Sequence, residues 1–389
     1  MSVSGSRPAP ALCVCAWALT YVHTPTWARP PWLSCLLRRT LGTKRTTPHA
    51  HSSHFQALWG PSSGDESRLC SPFSLPGVIS ELKVSVPWGH IAAKVWGSLQ
   101  GPPVLCLHGW LDNANSFDRL LPLLPQTFHY VAMDLGGHGL SSHHPLGFQY
   151  YKQDYVNEVR RVAAALRWKR FSVLGHSFGG IIGGMFSYIF PEMVDKLILL
   201  DAIPFFLDTK ELSNLLTYKR QAIEHVLYTE AQQLKPSQVL PPEEMLKSFL
   251  KNNFQVGKEC GKLLLERGTT KVGQGVMLNR DRRLGLPENT FDFLSPEQAV
   301  HFCQKIQAQM LIIKAKGGYS YFKVQDPEDS TKPEDSTKQV QDFLESTLKE
   351  RCRIVLVEGS HYVHMQEPHR VAGIITHFLE DKGPAQAHL

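Results

Sequence analysis

Phe171-Ser-Val-Leu-Gly175-His176-Ser177-Phe178-Gly179-Gly180 is the stretch that decides how this 389-residue chain folds. A short, mostly apolar run enters it, and beyond it Ile181, Ile182, Met185, Phe186 and Ile189 form an apolar stripe at helical spacing. Between strand and helix, Gly175 to Gly179 has the form G-x-S-x-G. The pattern alone is weak, with about 0.1 chance matches expected in a chain of this length. Its setting makes it specific, because strand, tight turn and helix are the surroundings of a nucleophile elbow. Such a turn forces the serine into a strained backbone conformation and leaves room only for glycine beside it. Ser177 is thereby predicted to project from the C-terminal end of a buried strand, where sites in parallel sheets form.

Outward from the elbow, Val104 to Leu107, Tyr130 to Met133, Leu197 to Leu200, Met310 to Ile313 and Ile354 to Val357 are further continuous apolar runs. Runs of four to six such residues are what strands covered on both faces look like. Tyr155, Val159, Val162, Ala163 and Leu166 supply another helical stripe. Ahead of all these, Leu82, Val84 and Val86, a turn at Pro87-Trp88-Gly89-His90, then Ile91, Ala93 and Val95 predict two antiparallel strands. The reading is an α/β fold over 79–380, a mostly parallel sheet flanked by helices. About 203–298 contains no buried-strand run, but amphipathic segments at 211–228 and 243–254. An interval that long is predicted to be a helical lid inserted after the sixth strand. At 327–338, Pro-Glu-Asp-Ser-Thr-Lys occurs twice, a composition that cannot supply core and predicts an exposed loop.

The net charge of +6 is misleading. Six of the 41 basic residues, and no acid, lie before Asp65, which leaves 35 basic against 35 acidic residues in the rest. A neutral body argues against nucleic acid as a partner. Residues 1–75 read as a low-complexity, unstructured basic leader, with weak likeness to a signal or transit peptide. The apolar run Ala11 to Thr20 is only about ten residues, where spanning a bilayer takes roughly 20, so no integral membrane segment is expected. The eight cysteines include no CxxC pair and sit mostly in apolar runs, which points to reduced thiols, an intracellular protein and no zinc site. The tail at 381–389 closes on Ala387-His388-Leu389, which has the small-basic-Leu form of a peroxisomal address. An import receptor is accordingly an expected partner, and the expected location cytoplasmic (perinuclear vesicles) or peroxisomal.

A serine hydroxyl needs a base to take its proton and a third group to orient that base. In this architecture the order along the chain is Ser, acid, His. Two histidines closely follow the last buried strand, in Glu358-Gly-Ser-His361-Tyr-Val-His364. His361, on the loop directly after the strand, is the better base; His364 lies a turn later, where packing or capping suits it. Charge developing on a carbonyl oxygen calls for two main-chain N–H donors, assigned to Phe178 and Trp110.

Leu107-His108-Gly109-Trp110, Asp134-Leu-Gly-Gly-His138-Gly-Leu-Ser141, the GHSFGG elbow, and Gly-Ser-His361 with Glu367-Pro368 together resemble the α/β-hydrolase superfamily, in order and over roughly 300 residues. Their wording is closest to the vertebrate serine hydrolase-like proteins. The resemblance implies a Ser177 nucleophile, a His361 base and neither metal nor organic cofactor. It also exposes a departure. Most members carry the acid after the strand before the last one, where this chain has Lys316-Gly317-Gly318. Asp201, at the end of the preceding strand, resembles the placement in some haloalkane-dehalogenase-like members and is the acid assigned here, with Asp326 or another loop acid next. Serine at 177 argues against the carboxylate nucleophile of epoxide hydrolases and dehalogenases. What remains is hydrolysis of an ester, thioester or amide of a small or lipid-like acyl group. The displaced acid motivates a second reading, a catalytically weak hydrolase fold kept as a binding or regulatory protein.

Overall fold

A computed structural model describes residues 80–205, 211–233, 237–285, 294–319 and 342–381. The basic leader, Asp326 with the 327–338 repeat, and the terminal Ala387-His388-Leu389 lie outside the described residues.

Strands β1 (Ser80–Val86), β2 (Gly89–Gly97), β3 (Pro103–Leu107) and β4 (His129–Met133) come first, then helix α1 (Lys152–Ala165). Strand β5 (Phe171–His176) runs into α2 (Phe178–Ile189), followed by β6 (Val194–Leu200). The interval after β6 holds α3 (Glu211–Gln233), α4 (Pro242–Asn252), α5 (Lys258–Gly268) and a two-stranded ribbon, β7 (Thr269–Val272) with β8 (Gly275–Leu278). Helix α6 (Pro296–Cys303), β9 (Gln309–Gly317), β10 (Cys352–Ser360) and α7 (His369–Glu380) complete the fold. The predicted helical interval therefore also contains a ribbon. Its strands are four residues each, with β7 exposed and half-exposed along its whole length, so they leave no buried-run signature.

The eight large-sheet strands lie in the order β1-β2-β4-β3-β5-β6-β9-β10, with β2 antiparallel to β1 and β4 and the rest parallel. Successive side chains point to opposite faces. Leu105, Leu107, Val173, Leu197, Leu199 and Ile312 pack on one face against α1 and α2. Val104, Cys106, Leu174, Ile198, Leu200 and Ile313 pack on the other against α7 and the 114–124 segment. The central stretches of these strands are apolar because neither face meets water there, and truncating one of their leucines to alanine costs about 2–5 kcal/mol. The sheet's C-terminal edge thus becomes a rigid platform for the loops that leave it.

Candidate active site

Ser177 joins β5 to α2 with φ +50° and ψ −117°, a conformation costing about 1–3 kcal/mol in an L-residue. The turn is held because the chain closes against itself. A Cβ on Gly179 would lie 2.1 Å from the Leu107 carbonyl oxygen, so only glycine lets α2 start this near β3. The Ser177 N–H donates to the Leu200 carbonyl at 3.1 Å, which carries the β5–β6 ladder one step past the strand end.

The residue that follows β6, Asp201, continues the ladder toward β9 by donating its N–H to the Ile313 carbonyl at 2.8 Å. Its carboxylate is fully buried and receives four donors. Oδ2 accepts from His361 Nδ1 at 2.5 Å and from the Tyr319 N–H at 3.3 Å. Oδ1 accepts from Lys314 Nζ at 2.6 Å and from the Ala315 N–H at 3.1 Å. Burial pushes such a carboxyl up, but the His361 hydrogen bond and the charges of His361 and Lys314 outweigh it and hold Asp201 below the ordinary carboxylate range. With Nδ1 donating, His361 presents a lone pair at Nε2, the tautomer a general base needs.

The displaced acid has a steric counterpart. A Cβ on Gly318 would lie 2.1 Å from Asp201 Oδ2 and 2.4 Å from Oδ1. A side chain at 318 and the Asp201 carboxylate would fill the same space. Glycine at 318 is what the Asp201 carboxylate in this position requires.

The two donors assigned to the oxyanion start from opposite sides of the elbow. Phe178 opens α2, where the first N–H groups of a helix have no acceptor within it. Trp110 lies in the turn after β3, its ring edge-on to Phe178 with centroids 4.9 Å apart. No hydrogen bond joins the Ser177 hydroxyl to His361 among the described residues, and such contacts are often loose before substrate arrives. His364 is fully buried, bonded through Nε2 to Ser116 Oγ at 2.9 Å, and burial drives it down to about 3. It packs.

Three features escape a reading of spacing alone. Lys314 stands in an apolar strand run, Leu311-Ile-Ile-Lys-Ala, and that misplaced charge is the sequence signal for a buried partner. Asp134 ties the elbow's surroundings together, accepting from the Ala114 and Leu140 N–H groups and from Arg267 Nε at 2.8 Å, while Arg267 also grips Glu81 at 2.7 Å. Asp112, 4% exposed, has Oδ1 3.4 Å from the Tyr362 hydroxyl and Oδ2 without a partner, 3.7 Å from His176 Nδ1. Burial, opposed by Tyr362 and Arg280, pushes Asp112 up to about 7. Over this region lies α5, whose Leu263 and Leu264 carbonyls accept from Asn115 and Asn113 at 2.9 and 2.8 Å. A cavity of about 20 Å³, room for one water, is lined there by Leu111, Asp112, Phe249, Leu264, Leu278 and Arg280.

A family model described as "alpha/beta hydrolase fold" matches residues 102–315. The chain is 59% identical over 304 residues to the mouse "Serine hydrolase-like protein", covering 78% of this chain and 96% of that one. It is 60% identical over 305 residues to the human "Serine hydrolase-like protein 2", covering 78% and 95%. Among solved structures, a hypothetical protein of Pseudomonas aeruginosa superposes with a TM-score of 0.63 at 29% identity, covering 77% of this chain and 99% of that one. The thioesterase domain of a curacin biosynthetic pathway, at 20% identity and a TM-score of 0.62, covers 77% and 99% and shares the fold. Fold and relatives together support hydrolase activity. No helix among the described residues is long and apolar enough to cross a membrane.

Proposed function

Because the chain belongs to the α/β-hydrolase fold family, we propose that it is a serine hydrolase that cleaves an ester, thioester or amide of a small or lipid-like acyl group through an acyl-serine intermediate. The observation that carries this reading is the Asp201–His361 hydrogen bond of 2.5 Å at the same sheet edge as the strained Ser177.

Ser177 Oγ attacks the carbonyl carbon while His361 Nε2 takes its proton. The carbonyl oxygen becomes an oxyanion held by the Phe178 and Trp110 main-chain N–H groups. Collapse of the tetrahedral adduct breaks the bond to the leaving group, which departs with the proton from His361. Water then attacks the acyl-serine, losing its proton to His361, and the acid product leaves as the proton returns to Ser177. Asp201 stays ionised throughout and compensates the imidazolium. The apolar residues that α4, α5 and β8 turn toward the loop after β3 suit an acyl chain, an argument from lining chemistry.

Purified full-length protein should turn over aryl esters of short and medium acyl chains, and Ser177→Ala should not. Equal turnover by both would place any activity elsewhere. The binding-protein reading drew on the glycine at 318 and the repeat insert beside it; the closeness of the Asp201 carboxylate offers a steric reason for that glycine and favours the hydrolase reading. Peroxisomal import through Ala387-His388-Leu389 is a separate proposal; a fluorescent protein carrying the last dozen residues should become punctate in cells, and diffuse fluorescence would remove it.

A further inference from the structure

A lysine ammonium in direct contact with the acid of a catalytic triad changes the electrostatics of the base, and Lys314 is so placed. It is 5% exposed, and its Nζ bonds both Asp201 Oδ1 and the Tyr319 carbonyl at 2.6 Å. We propose that Lys314 is a positioning residue of the reaction, one that locks the Asp201 carboxylate and, by pairing with it, weakens the pull of that anion on a proton at His361. The proposal rests on the serine-hydrolase reading and deepens it.

The geometry supports both halves. Lys314 is in register with Leu356 of β10, and on its other side β6 pairs Leu200 with Ile313, the residue before it. The ammonium is thus fixed by backbone pairing on two sides, and the oxygen it holds is the one that His361 does not use. Four donors on one carboxylate leave it no rotational freedom, so Oδ2 faces Nδ1 without reorganisation at the moment of proton transfer. An isolated buried carboxylate beside an imidazole would favour the imidazolium strongly. A carboxylate already paired with a cation presents a dipole to His361, and the pull is weaker.

The other groups facing the pair do not replace Lys314. From β5 comes His176, its ring 4.6 Å from His361, and from the segment after β10 come Tyr362 and His364. Burial drives His176 and His364 well below the ordinary imidazole range, so neither carries charge at neutral pH. Tyr319 follows β9 with its ring 4.3 Å from His361. Asp112 approaches His176 from the loop after β3, and Lys316 pairs with Glu358 on the exposed side at 2.5 Å. Among the described residues, Lys314 and His361 are the two basic side chains in contact with Asp201.

The test is the pH dependence of Ser177 labelling by a fluorophosphonate in full-length wild type, Lys314→Met, Lys314→Gln and Lys314→Arg. Removing the charge should move the acid limb upward by about one pH unit, a tenfold change in proton affinity. Lys314→Gln, which keeps an N–H donor, should show the shift with more of the plateau rate than Lys314→Met, and Lys314→Arg should restore the limb. A purely structural lysine would lower the plateau and leave the limb in place, and that result overturns the proposal. Should the neutral variants not fold, the wild type decides: a limb centred at or below the ordinary imidazole value of about 6.5 supports the compensation and one above it contradicts it. A wild type that labels at no pH sinks the serine-hydrolase reading itself, whereas labelling with an unmoved limb sinks only the role of Lys314.

Discussion

Asp201 and Asp112 lie on either side of the same histidine cluster, both almost wholly buried, and the chain treats them oppositely. Asp201 receives four donors, a lysine among them, and is held below the ordinary carboxylate range. Among the described residues the Asp112 carboxylate has a single hydrogen bond, at 3.4 Å, and an oxygen facing the equally unpartnered His176 Nδ1, and is pushed up to about 7. Burial is common to both, so donors decide which one is a permanent anion. The lesson extends to the base. His361 donates through Nδ1 to an anion, whereas His176 must donate Nε2 to the His361 carbonyl at 3.0 Å, leaving its lone pair toward Asp112. Two buried acceptors 3.7 Å apart are relieved when one proton resides on Asp112.

The contrast is broken most severely at Asp201 itself. Asp201→Asn should lower kcat/KM on an aryl ester by about 10³- to 10⁴-fold while leaving residual activity, since nucleophile and oxyanion donors survive. His361→Ala should abolish turnover, and a loss as large in His364→Ala would reassign the base. Gly318→Ala comes next, because a methyl 2.1 Å from Oδ2 must displace the carboxylate. Steady-state kinetics should show a loss of about 10²-fold, as for a misplacement of order 1 Å. An unchanged rate would mean that Asp201 is not the orienting acid.

Asp112→Asn sharpens the other side. The native value near 7 exceeds the ordinary value of 3.8, so the native state binds the extra proton between them. Stability from this group is therefore full below about pH 4 and lost as pH rises toward 7, by at most about 4 kcal/mol. Chemical denaturation between pH 5 and 8 should show this slope in wild type and a flatter one in Asp112→Asn, with activity changed only a few-fold. An identical slope would show that Asp112 ionises normally. His364→Ala is the smallest expected effect on chemistry, under about tenfold, with a stability cost from the lost Ser116 bond of about 1–3 kcal/mol.

How far the sequence carries this picture follows the range of the interactions. The elbow was legible because it is local: a strand run, two glycines and a helical stripe within about twenty residues. The core strands were legible because burial on both faces writes continuous apolar runs, while the short β7–β8 ribbon lacks such a run and was missed. Asp201 could be read as a strand-end acid, but not why Gly318 stands where an acid was expected. That answer is steric and joins residues more than a hundred positions apart. Lys314 and Asp112 were invisible for the same reason, since partnership across the sheet leaves only an odd charge in an apolar run, or nothing at all.

The central claim is that Asp201, placed at the end of β6 and locked by Lys314, orients His361 as a working base for Ser177. The second-order rate of fluorophosphonate labelling, with the modified peptide identified by mass, measures serine activation directly in wild type, Ser177→Ala and Asp201→Asn. Wild type should label at Ser177, Ser177→Ala should stay dark, and Asp201→Asn should label about 10³-fold more slowly. A wild type as dark as Ser177→Ala, or an Asp201→Asn variant as fast as wild type, would contradict the account.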